Sequence, residues 1–118
     1  MTEIPNKRYD LEERTYQFAK NVAFFCKKFS RTASNIEYVK QLLRASGSVG
    51  ANYIEANEAL SKRDFKMRIK ICRKEAKENG YWLRLIIETN DNMFVEEGKR
   101  LLNEAVELRK IFSSILEK

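Results

Sequence analysis

The 118-residue sequence predicts an all-α protein, an antiparallel up-down-up-down bundle of four helices. Three observations carry that expectation. Apolar residues recur in alternating steps of four and three, the seam of a packed helix, and no period-two alternation competes over a useful length. One Pro and four Gly are too few for a turn-dense β fold. Residues with helix-capping chemistry punctuate the pattern and leave only short connections between its segments. At 13.9 kDa, with 43% hydrophobic and 34% charged residues, the chain has the material for one core and one domain spanning 1–118.

The first helix is predicted over about 10–29, with a seam of Leu11, Thr15, Phe18, Val22, Phe25 and Phe29. Asp10 with Glu13 has capping-box spacing and can satisfy the free N–H groups of a first turn. The second, about 35–59, opens on Ser34 with Glu37 and reads through Val39, Leu42 or Leu43, Ser46, Val49 or Gly50, and Tyr53. Its middle, Arg44 to Asn52, carries Gly47 and Gly50, which together cost about 2 kcal/mol in a helix relative to Ala. Either the helix kinks or gives way to a loop there, or, as preferred, small residues permit close helix–helix approach, with Ser and Asn bonding to a neighbouring helix. No phosphate loop is present, since the stretch lacks a Gly-Lys-Ser/Thr ending and a preceding strand.

The third helix, about 62–89, opens on Ser61 with Asp64 and has its seam in Phe65, Ile69, Cys72, Ala76, Asn79, Leu83 and Ile86. The fourth, about 92–117, follows an Asn90-Asp91-Asn92 turn that can also cap it. Phe94, Gly98, Leu101, Ala105, Leu108, Phe112 and Ile115 form its seam.

On a wheel of about 100° per residue the third helix has two further faces beside its seam. Lys62, Arg63, Lys66, Lys70, Arg73, Lys74, Lys77 and Arg84 share one arc. Met67, Ile71, Glu75, Glu78, Trp82 and Leu85 share another. Residues 62–84 hold nine Lys or Arg against three acids, a net of +6, and the remaining segments cancel, so the whole net charge lies on this helix. Such an arc is the electrostatic footprint of a nucleic-acid contact, the plainer alternative being a solvated face. It has no aromatic residue at its centre, so base stacking is not implied; Tyr81 at its edge is the one candidate. The second apolar stripe reads as a subunit interface anchored by Met67, Ile71 and Trp82, or as a core sector wide enough to absorb them. Glu75 and Glu78 within it need cationic partners if buried.

Catalysis has little to work with. There is no His, which removes Ser-His and Cys-His pairs, His-ligated zinc and haem, and the Glu-x-x-His pattern of di-iron bundles. Cys26 and Cys72 have no metal-site or disulfide-framework spacing and read as small hydrophobes. Glu75 and Glu78 have neither a third ligand set nor a partner nucleophile. The expectation is a protein that is not an enzyme and uses no cofactor or metal. The opening residues lack a signal peptide's apolar region, and no apolar run approaches the ~18 residues needed to span a bilayer. A cytoplasmic location with no membrane partner is expected.

Arg44 to Asn52 followed by Glu55, then Ser61-Lys62, Asp64-Phe65, Ile71, Lys74-Glu75-Ala76, Glu78 and Tyr81-Trp82-Leu83-Arg84-Leu85, resembles a known family. It is similar to the bacterial four-helix-bundle proteins encoded in intervening sequences of 23S ribosomal RNA genes, often called ribosomal proteins. These are related to the accessory variability protein of diversity-generating retroelements. Arg68 and Asn79 stand where many relatives have Lys and Thr. The resemblance implies a homopentameric barrel with a basic surface and a central channel. It also implies RNA or DNA binding in at least one branch, beside a nucleic-acid-processing partner, a reverse transcriptase. The function expected is a non-enzymatic accessory protein that binds nucleic acid, RNA foremost, through the basic face of the third helix. The alternative is a protein–protein scaffold oligomer.

Overall fold

Positions three and four apart share one face of a helix, so each seam becomes a buried stripe once the helices pack. A computed structural model describes residues 7–91 and 94–118. Four helices follow in order: α1 Lys7–Cys26, α2 Ala33–Asn57, α3 Lys62–Glu88 and α4 Val95–Leu116. No strand occurs among the described residues. Each helix packs against the next in sequence, and α4 also packs against α1, closing a ring round one core. The narrowest extent, 19 Å, is that of two helix layers.

The core is the set of seams. Leu11, Phe18, Val22 and Phe25 meet Leu42, Val49 and Tyr53, then Ile69, Cys72, Leu83 and Ile86, then Leu101, Leu108 and Phe112. On α2 the alternatives resolve to Leu42 and Val49, while Leu43 is exposed and Gly50 half-buried. Phe29, Phe65, Phe94 and Ile115 pack on the core's edge. Both cysteines are free and buried, as small hydrophobes would be.

Helix ends differ from the sequence reading by a few residues, each for a local reason. α1 begins at Lys7, so Asp10 lies inside the first turn and does not cap it. It stops at Cys26, where Lys27, Lys28 and Phe29 bond back to Phe24, Phe25 and Cys26 in tight i→i−3 steps that close off the last turn. Thr32, not Ser34, caps α2: its hydroxyl accepts from the Asn35 N–H at 3.1 Å. Ser61 caps α3 as expected, accepting from the Asp64 N–H at 3.1 Å. α4 begins at Val95 after Phe94, which makes no side-chain cap. The expected role of Asn92 lies outside the described residues.

Residues 44–52 do not kink. α2 runs through them unbroken, and the two glycines do different things. A Cβ on Gly50 would sit 3.0 Å from Thr15 Oγ1, so this glycine does admit α1 closely. A Cβ on Gly47 would meet nothing within 4 Å. The polar residues here bond mostly within α2: Asn52 Nδ2 donates to Ser48 O and Oγ, both at 2.9 Å, and Ser46 Oγ to Leu43 O at 3.4 Å. Three bonds tie this stretch to α3: Arg68 donates to Asn52 Oδ1 at 2.9 Å, Cys72 Sγ donates to Val49 O at 3.4 Å, and Arg44 donates to Glu78.

Candidate nucleic-acid interface

Burial of Ile69, Cys72, Ala76, Asn79, Leu83 and Ile86 fixes the rotation of α3 about its own axis. That rotation turns the basic arc outward. Lys62, Arg63, Lys70, Lys74, Lys77 and Arg84 are exposed, whereas Lys66 and Arg73 are half-buried along their stems. Lys74 lies 3.9 Å from Glu75, and Arg84 lies 3.7 Å from Glu88. Among the described residues, Lys62, Arg63, Lys66, Lys70, Arg73 and Lys77 make no ion pair. Like charges left beside one another without acids repel, so an anion laid along them is drawn in. An open trough of about 710 Å³ runs beside the N-terminal half of the arc, lined by Lys62, Arg63, Lys66, Lys70 and Lys74 with Met67 and Ile71.

The second stripe is divided between solvent and the chain's own second helix. Met67 is 53% exposed. Ile71, Glu78, Trp82 and Leu85 are half-buried, and Glu75 is 5% exposed. Trp82 packs against Tyr38 of α2, with ring centroids 6.1 Å apart, and its Nε1 donates to Glu78 Oε2 at 3.5 Å. Arg44 of α2 reaches both carboxylates, at 3.5 Å from Glu75 Oε1 and in a close pair with Glu78. The cation that a buried Glu75 requires is thus supplied by the same chain. The 3.5 Å contact gives charge compensation without a hydrogen bond, and Oε1 of Glu75 and Oδ1 of Asn79 are buried with no hydrogen-bond partner among the described residues. Sequence reasoning did not find Arg44 or Tyr38, because a pair 34 residues apart leaves no local periodic signal.

Among the described residues no three or more His, Cys, Asp or Glu side chains come together in a metal-binding group. Burial pushes the Cys26 thiol up to about 11 and the Cys72 thiol up to about 12, so neither is poised as a nucleophile. No described helix is long and apolar enough to cross a membrane.

The family model for the 23S rRNA-intervening sequence protein matches residues 7–114. A solved structure similar to this chain is the 1.70 Å crystal structure of a protein of unknown function from the S23 ribosomal protein family of Bacteroides thetaiotaomicron VPI-5482. The two share 32% identity over 91% of this chain and 98% of that one, with a TM-score of 0.81. No curated protein matches the chain.

Proposed function

The chain belongs to the 23S rRNA-intervening sequence protein family, and from that premise we propose that it is a non-enzymatic accessory protein that binds nucleic acid, RNA foremost, through the basic face of α3. One observation carries this reading: six Lys and Arg side chains on that face have no acidic partner among the described residues. Binding through phosphates needs such cations and needs no base-reading group.

The protein acts as an oligomer, with a homopentameric barrel of up-down-up-down subunits as the favoured assembly. Short connections between helices that pack as sequence neighbours support the up-down course. Exposed Met67 with half-buried Ile71 and Leu85 supports a contact between subunits on that side of α3. A ring repeats the basic arc, so weak contacts add through effective concentration. The cytoplasm is the compartment that suits such a partner.

Lys70→Glu combined with Arg73→Glu tests the reading. Neither residue belongs to the core or to the Met67–Trp82 stripe, so helicity and assembly should stay unchanged. Affinity for RNA and DNA should fall for all sequences alike. Unchanged affinity would remove the nucleic-acid reading for this face. A scaffold oligomer would then lead, and fully exposed Leu60 beside Met67 is the observation that favours it.

A further inference from the structure

Tyr81 sits where a core-building pattern does not place an aromatic ring. It falls on the basic side of α3, one turn after Lys77 and one turn before Arg84. The side chain is 60% exposed, whereas Tyr53 is buried and Tyr38 half-buried. Its ring is nevertheless held in place, meeting Trp82 edge to face with centroids 5.0 Å apart and planes at 83°. Trp82 in turn packs against the core. Two other exposed rings among the described residues each have a cation over one face: Lys20 lies 5.8 Å from the Tyr16 ring centre, and Lys27 lies 5.5 Å from that of Phe24. Among the described residues no cation lies over Tyr81. An aromatic surface is left open inside a field of positive charge.

The cations leading to it form a row. Lys62, Lys66, Lys70, Arg73 and Lys77 advance in steps of three or four residues, over about 22 Å of helix. A duplex backbone spirals away from a straight row and meets little of it. An extended single strand can follow the row from end to end. We propose that this face holds one extended strand of RNA, its phosphates along the lysine row and one base stacked on Tyr81. This rests on the nucleic-acid reading above and specifies its ligand. Stacking on an aromatic face tolerates any base, so the site is general for sequence and selective for unpaired nucleotides.

Three labelled probes test it: an RNA of about eight nucleotides, the same backbone without bases, and a blunt RNA duplex of equal length. The native protein should bind the base-bearing strand roughly tenfold more tightly than the abasic one. Tyr81→Ala should erase that difference, and Tyr81→Phe should keep it. Since Tyr81 is exposed, neither change should alter helicity. A Tyr81→Ala protein that keeps the full preference, or a duplex bound more tightly than the strand, would overturn the single-strand inference while leaving the basic-face reading intact. Failure of the native protein to bind any of the three would overturn both.

Discussion

Gly98 and Gly47 are the same residue type in the same kind of helix, yet they answer to different physics. A Cβ at Gly98 would come within 2.6 Å of Ile87 Cγ1 and 3.2 Å of Phe25 Cζ, so any side chain there forces Ile87 to shift where α4 lies against α3 and α1. Gly98→Ala should destabilise the protein by about 1–3 kcal/mol through forced displacement. Gly47→Ala meets open space and should stabilise it by about 0.5–1 kcal/mol by restricting the unfolded chain. Urea midpoints of the two variants on opposite sides of the native value are expected; equal shifts would contradict the packing at Gly98. The two thiols add a pH signature. Burial raises both from an ordinary value of 9.0, to about 11 for Cys26 and about 12 for Cys72. Below pH 9 the thiols are protonated whether the chain is folded or unfolded, and nothing is lost. As pH rises through 9 towards 11 and 12 the unfolded chain ionises first, so stability falls. At pH 10 the loss should be on the order of 1 kcal/mol per thiol. It should vanish in a Cys26→Ala, Cys72→Ala double variant compared across the same pH range. At this scale the sequence revealed which residues are apolar but not whom they touch. Trp82 could be placed on a stripe, but its contact with Tyr38 and the reach of Arg44 depend on how α2 and α3 cross.

Helices were legible because a core face repeats every three or four residues whatever surrounds it. Their ends were not, because several residues near a boundary can supply the same bond. Ser34 and Thr32 both have a hydroxyl in range of a first turn, and Thr32 takes the role. Beside it Asn35 is held by reciprocal amide bonds to Asn90 at 2.9 and 2.8 Å, and it donates to Ser30 O at 3.0 Å. Those contacts join the loop before α2 to the end of α3 and fix where α2 begins. Thr32→Ala and Ser61→Ala should each cost about 1 kcal/mol. Ser34→Ala, an exposed position inside the helix, should cost little. Thermal unfolding of the three variants separates these cases, and an equal loss for Ser34→Ala would put the cap in the wrong place. α3 carries the clearest sequence signal of function, since the residues that build its seam also dictate which way its cations point.

At the scale of the molecule, the all-helical architecture and the family followed from patterns within single segments, while assembly depends on surfaces that only a second subunit completes. Part of the stripe read as an interface is covered by α2 through Tyr38 and Arg44, which leaves Met67 as its most open apolar member. Light scattering should give a mass several times the 13.9 kDa of one chain. Met67→Asp should lower it without loss of helicity, and a native mass of one chain would contradict the proposed ring. The central claim, that α3 meets phosphates with unpaired cations, is tested most directly by the salt dependence of RNA affinity. Affinity is measured across a range of salt for the native protein and for Lys70→Glu, Arg73→Glu. The logarithm of the native affinity should fall steeply with the logarithm of salt, by about 0.7 for each single-strand phosphate contacted. The variant should bind more weakly, with a slope shallower by roughly 1.4 for the two contacts removed. Superimposable lines, or a native affinity indifferent to salt, would contradict the claim.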